Sequence, residues 1–307
     1  MHLSLDPANR NSELPLPELA QPSPGSARLT HALPLLADSN LLDACGVAIA
    51  FTTRDGGVSE GAYASLNLAD HVGDNSERVA ENRRILLEAL SIPNCADCLV
   101  NPVQVHGDTV AIFTDEAGKE HMEDAVELLD AHGVLLFTEH RTSPELECDA
   151  VVCTVEDVPV MLCYADCVPI ILVAPNGCFA VVHSGWKGTL KSIAEKAAHA
   201  LSVASGCPSS SFNAYIGPHI GACCYEVSDE ILDAFVAEFG EACDAFANHL
   251  DLEYAVVSAL RSAGVESERI VSSGICTSCS TDRFYSYRAE GGTTGRIAAI
   301  ACRKGVS

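Results

Sequence analysis

The chain has 307 residues, 48% of them hydrophobic, enough for one large domain or two modest ones with a sizeable core. Its 42 acidic residues against 18 basic ones leave a formal net charge of -24, which argues against nucleic-acid polymers and anionic membrane surfaces as partners. An anionic small molecule would need a local basic pocket.

The first residues, MHLSLDPANRNSELPLPELAQPSPGS, hold no basic stretch followed by an apolar one, so no secretory signal is read there and a cytoplasmic location is expected. Residues 1–40, with Pro15, Pro17, Pro22, Pro24 and Pro34, are expected to form an irregular leader, and residues 41–307 the catalytic domain. From GVAIAFTTR onward, strand-like runs fall at 47–53, 99–105, 109–113, 133–138, 149–155, 158–165, 168–174, 178–183, 211–216, 269–274 and 296–302. The longest apolar stretch, 158–175, is interrupted by Pro159, Asp166 and Pro169 and so does not read as a membrane span.

Helical patterns are fewer. DNSERVAENRRILLEAL offers Asp74 and Glu77 as a capping box ahead of Val79, Leu86, Leu87 and Leu90. TLKSIAEKAAHAL, starting at 189, places Leu190, Ile193, Ala197 and Leu201 on one face, and SDEILDAFVAEFG runs from Ser228 to a stop at Gly240. TDEAGKEHMEDAVELLDAHG reads as an acidic excursion. The expected fold class is α/β, a single layered domain with helices packed on a mixed sheet.

Three soft metal donors sit just beyond predicted strands: His106 in PVQVHGDTV, Cys167 in CYADCVP and His183 in FAVVHSGWKGT. Two imidazoles and a thiolate with a fourth position open to water are the pattern of catalytic zinc. The spacings are long, so the sequence does not show whether the three converge. Each histidine taken alone fits a hydrogen-bonded structural role as well.

The motifs FTTRDGGVS, SLNLADHVGD, NPVQVHGDTV, CDAVVCT, YADCVPIILV, VVHSGWKGT, YIGPHIGACCYEV and FYSYRAEGGTTGRIAAI stand in the order found in the YfiH-like, or laccase-domain, family, which the chain resembles from about residue 46 to 302. The resemblance implies a zinc site at His106, Cys167 and His183. It also implies a purine nucleoside phosphorylase acting on adenosine, inosine and S-methyl-5'-thioadenosine, with adenosine deaminase activity. Bacterial relatives are linked to peptidoglycan editing, an amidase reaction that removes L-serine from a UDP-muramoyl precursor. Phosphate and a nucleoside would be the small-molecule partners.

Physical chemistry suggests roles around that set. Arg54, followed by Gly56 and Gly57, offers a guanidinium and approachable backbone N–H groups to phosphate. Lys187, where the family leads one to expect arginine, supplies a point charge in place of a fork. Cys167 and Asp166, with Arg54, are the catalytic candidates, and Asp149 reads as support for the histidines. Gln104, on the same side of a strand as His106, together with His71 and Tyr225, completes the candidate substrate-binding set.

Three rivals remain open. Two histidines and a cysteine also describe a copper site, as in a polyphenol oxidase, although none of the 11 histidines is paired as H-x-H. Cys167 with a histidine base would make a metal-free amidase. A nucleoside sensor would show no turnover. Most of the 15 cysteines are expected to be reduced and buried. The pairs CADC at 95–98 and CTSC at 276–279 would build a structural zinc site only if they met in space, and they are read as coincidence.

Overall fold

The near-continuous apolar runs AVVC, VMLCY, VPIILV and FAVVHS are buried along their whole lengths, which requires a sheet covered on both faces. The computed structural model describes residues 13–20, 33–92, 98–122, 133–137 and 146–305. Strand β1 (Leu35–Leu36) and helix α1 (Asn40–Cys45) lead into β2 (Val47–Thr52), then α2 (Ser76–Ala89), β3 (Val110–Phe113), α3 (Glu116–Met122) and β4 (Val134–Phe137). Next come β5 (Ala150–Cys153), β6 (Val160–Tyr164), β7 (Val168–Val173), β8 (Phe179–Ser184), α4 (Trp186–Leu190), α5 (Ile193–Ser205) and β9 (Asn213–Ile216). Helix α6 (Asp229–Phe239), the pair β10 (Asp244–Phe246) and β11 (His249–Leu250), α7 (Leu252–Ser262), β12 (Ile270–Ser272) and β13 (Ile297–Arg303) follow.

Two sheets stack. A seven-stranded mixed sheet runs β12-β9-β7-β8-β5-β3-β4, and a four-stranded antiparallel sheet runs β1-β2-β13-β6. The α/β class with a mixed sheet is as expected, and the second sheet is an addition to it. Side-chain alternation sorts the layers. Ile170 and Leu172 point to Ile193, Ala197 and Leu201 of α5, whereas Ile171 and Val173 meet Ile49, Phe51 and Leu162 between the sheets. On β13, Ala299 and Ala301 face that inter-sheet core, and Ala298 and Ile300 face Leu86 and Leu87 of α2. The order is helices, large sheet, small sheet, helix, and each fully buried Leu or Ile contributes about 1.5–3 kcal/mol.

Several local expectations are corrected. Residues 99–105 form no strand; Val100 and Val103 make single bridges to Val160 and Glu147. Helix α2 is capped by Asn75, which accepts from the Arg78 N–H, because the Asp74 carboxylate is taken by Ser59, Asn67 and the Asn75 N–H. The helix expected from 189 divides into α4 and α5, separated by Ser192 in the left-handed region. Helices α1 and α7 were not foreseen. Within the Pro-rich stretch, Leu35–Leu36 pairs with β2, and Leu14 and Leu33 are buried. Most of the acidic excursion and Cys95 of CADC lie outside the described residues, and no described helix is long and apolar enough to cross a membrane.

Candidate metal centre

The ends of β7 and β8 and the loop before β3 meet at one point. Cys167 immediately precedes β7, His183 lies near the end of the neighbouring antiparallel β8, and His106 reaches them from the loop. Their donor atoms lie within 4.8 Å of one another, and the two imidazole rings sit edge to face at 4.8 Å. The convergence that sequence spacing left open is therefore present.

Asp149, fully buried just before β5, fixes two of the three donors. Its Oδ1 lies 2.7 Å from His183 Nδ1, and its carboxylate accepts the N–H groups of His106 at 3.0 Å and Gly107 at 2.6 Å. These bonds hold His106 at φ 57°, in the left-handed region unusual for a non-glycine residue. With Nδ1 of His183 directed at a carboxylate, Nε2 is left for the other side of the ring, the arrangement of carboxylate-oriented metal-ligating histidines. Gly185 leaves the room: a Cβ there would lie 3.0 Å from His106 Cδ2, 3.2 Å from Cys167 Sγ and 3.7 Å from His183 Cε1.

The electrostatics of the trio favour an ionised sulfur. Burial, the largest influence on Cys167, pushes its pKa up, but His183 and His106 together bring it down to about 6. Burial likewise lowers His183, and the neighbouring thiolate and Asp149 outweigh it, raising the imidazole to about 9. Elsewhere burial wins: Cys148 and Cys153 are pushed up to about 12 and are inert core thiols.

Asp166, considered for proton transfer, is tied into hydrogen bonds through both carboxylate oxygens and its carbonyl. Its Oδ1 accepts from the Thr277 hydroxyl and its Oδ2 from the Arg288 N–H, each at 2.7 Å, while its carbonyl accepts from the Ile220 N–H. It stands outside the group of three donors and staples two loops beside Cys167. Tyr225 lies on one of those loops, and burial above all, with Cys167 and Asp166 adding to it and Arg288 opposing, pushes its phenol up to about 12. The Arg288 guanidinium lies 5.2 Å from the Tyr225 ring centroid.

The other candidates are placed less favourably. Gln104 is held at both ends, its Nε2 donating to the Cys163 carbonyl and its Oε1 accepting from the Cys163 N–H, each at 2.8 Å, so it anchors the His106 loop to β6. Arg54 donates through Nε to the Ala64 carbonyl and through Nη1 to the Thr281 carbonyl and Glu290, with Tyr285 beneath it at 4.5 Å. A guanidinium so engaged ties loops together. Lys187 is exposed, lies in the first turn of α4 and sits 5.5 Å from the Trp186 ring. His71 is 65% exposed beside Asp70. Sequence reasoning passed over Arg288 and Arg296, both in FYSYRAEGGTTGR; burial lowers the Arg296 pKa, opposed first by Cys163 and then by Cys167.

A thiolate and two imidazoles gathered this closely suit a borderline-soft divalent cation such as zinc, so the residues present fit the implied metal. The class defined by fold and site is a four-layer α/β protein with a two-histidine, one-cysteine donor set. Residues 48–304 match the family described as "Multi-copper polyphenol oxidoreductase laccase", and the chain belongs to this YfiH-like family. It is 34% identical over 268 residues to the purine nucleoside phosphorylase YlmD of Geobacillus stearothermophilus, covering 84% of this chain and 91% of that protein. It is 32% identical over 267 residues to adenosine deaminase RL5 from an unknown prokaryotic organism, covering 84% and 95%. The crystal structure of YlmD from Geobacillus stearothermophilus superposes with a TM-score of 0.72 at 31% identity, covering 92% of this chain and 98% of that one.

Proposed function

We propose that this protein is a zinc-dependent purine nucleoside phosphorylase that transfers the ribosyl group of adenosine, inosine or S-methyl-5'-thioadenosine from the purine nitrogen to phosphate. The observation that carries the reading is the convergence of His106, Cys167 and His183 within 4.8 Å in a chain whose relatives are named for that activity. When bound there, zinc would supply Lewis acidity and an acidified water.

The chain's own residues do the remainder. Asp149 holds His183 Nδ1 and the His106 backbone, so the donor set is organised before substrate arrives. Tyr225 offers an aromatic face and a phenol beside Cys167, suited to a nucleoside. Arg288 and Arg296 put positive charge near Asp166 and Cys167, the local basic pocket that phosphate requires in a chain of net charge -24. All three guanidiniums donate to backbone carbonyls, but Arg54 is also ion-paired with Glu290, which favours Arg288 and Arg296 over Arg54 for direct contact with phosphate.

Deamination of adenosine at the same metal is a second reading, favoured by the relative named adenosine deaminase. Asp149 and Asp166, the carboxylates beside the three donors, are both engaged in hydrogen bonds within the protein, which ranks this reaction second. Copper chemistry ranks lower still, since a polyphenol oxidase would call for further histidines close by.

The deciding experiment incubates metal-analysed protein with adenosine, with and without phosphate, and separates the products chromatographically. Phosphate-dependent adenine and ribose 1-phosphate are expected. Inosine formed without phosphate would transfer the main activity to deamination, and neither product from zinc-loaded protein would end the nucleoside reading.

A further inference from the structure

A second group of soft donors lies outside the site just described. The CTSC pair at Cys276 and Cys279 meets the doublet Cys223–Cys224 of GACCYEV, and all four Sγ atoms lie within 4.8 Å of one another. Cys279 Sγ is 3.3 Å from Cys224 Sγ and 3.5 Å from Cys223 Sγ. Those separations are far too long for a disulfide, whose S–S bond is about 2.0 Å. They approach the edge of a zinc-thiolate tetrahedron, about 3.8 Å for Zn–S bonds of about 2.3 Å.

The backbone around the group is arranged as it is at such sites. Cys223 and Cys224 lie in a turn closed by the Cys224 N–H on the Gly221 carbonyl, and Cys276 and Cys279 lie in a second turn. The two turns are laced together by a parallel bridge between His219 and Cys276 and by the Thr277 N–H on the His219 carbonyl. The Gly221 N–H points at Cys276 Sγ at 3.2 Å, a donor that favours sulfur as thiolate. Two of the four cysteines are exposed and two partly so, which leaves the ion an entry path.

We propose that Cys223, Cys224, Cys276 and Cys279 bind a second, structural zinc ion in a closed all-thiolate site. Each sulfur forms a bond to zinc and releases its proton to solvent, with no change of oxidation state. The ion clamps together the two loops that Asp166 also staples: the Ile220 N–H reaches its carbonyl, and Thr277 and the Arg288 N–H reach its carboxylate. Tyr225 follows Cys224 directly, and Arg288 Nη1 donates to the carbonyls of Cys224 and Glu226. The four-cysteine ion thereby positions one wall of the His106, Cys167 and His183 centre without touching substrate.

The test is the zinc content and coordination of the full chain, wild type and His183→Ala. Wild-type protein should carry about two zinc ions per chain, and His183→Ala should keep about one, with an X-ray absorption spectrum showing sulfur alone at about 2.3 Å. A double variant, Cys276→Ser with Cys279→Ser, should lose that ion and retain the other, which shows a mixed nitrogen and sulfur shell. One zinc per wild-type chain, with the four cysteines freely alkylated or joined in disulfides by peptide mapping, would overturn the proposal even if the double variant fails to fold. Because the readout in His183→Ala concerns the four thiolates alone, it is independent of whether the protein phosphorolyses nucleosides.

Discussion

One oxygen of Asp149 lies 2.7 Å from Nδ1 of His183 and 3.0 Å from the His106 N–H, so a single buried carboxylate orients two of the three donors that the chain brings together from distant positions. Changing Asp149 to Asn keeps its shape but removes the charge that orients the His183 ring. Zinc affinity should fall by about 10–100-fold, read by competition with a chromogenic chelator. Unchanged affinity would show that Asp149 serves the loop alone.

Gly185→Ala should lower zinc occupancy while leaving secondary structure intact, because the new methyl meets His106 and Cys167 at 3.0 and 3.2 Å. Gly185 has ordinary backbone angles, φ -76° and ψ 167°, so crowding is the sole cause of the expected loss. Elemental analysis beside circular dichroism separates the two effects.

In metal-free protein Cys167 should be the thiol that titrates lowest in the core. Its pKa of about 6 lies below the ordinary thiol value, so the deprotonated form is favoured in the fold and alkylation at Cys167 should rise as pH passes upward through about 6. Cys148 and Cys153, held at about 12, should stay silent across the same range. Peptide mapping after iodoacetamide treatment distinguishes these from the exposed Cys223 and Cys279, and zinc should protect Cys167.

Arg54→Ala should act first on stability. It leaves Oε1 of Glu290 and two carbonyls without the Arg54 donor, and breaking a largely buried ion pair costs about 3–5 kcal/mol, reduced here because Glu290 is partly exposed and keeps the Ser286 N–H and Thr294 hydroxyl on Oε2. Urea unfolding should show the loss, while the phosphate KM of the folded fraction changes less than it does in Arg288→Ala. The reverse order would return Arg54 to the phosphate site.

Asp166→Asn tests stapling against proton transfer. The amide can still accept from one of Thr277 and the Arg288 N–H, so about 1–3 kcal/mol of stability and a raised KM are expected, with kcat reduced less than KM is raised. A collapse of kcat with unchanged stability would make Asp166 a catalytic acid or base.

What the sequence by itself determined was local chemistry and period. The runs at 149–155, 158–165, 168–174 and 178–183 became β5 to β8 within one or two residues, because unbroken apolar stretches of that length form strands covered on both sides. The identity of His106, Cys167 and His183 as soft donors, and of Asp149 as their support, was also legible from residue type and position at strand ends. Where each side chain spends its hydrogen bonds was not. Gln104, Arg54 and Asp166 have the right groups for substrate or protons, yet partners 59, 236 and 111 residues away occupy them.

Only the tertiary structure decided which cysteines are neighbours. The C-x-x-C spacing drew attention to Cys276 and Cys279, but their companions are the adjacent Cys223 and Cys224, at a spacing with no motif attached to it. The parallel pairing of β9 with β12 brings the loops that follow them side by side, and strand pairing across more than fifty residues is a non-local event that no short window of sequence records.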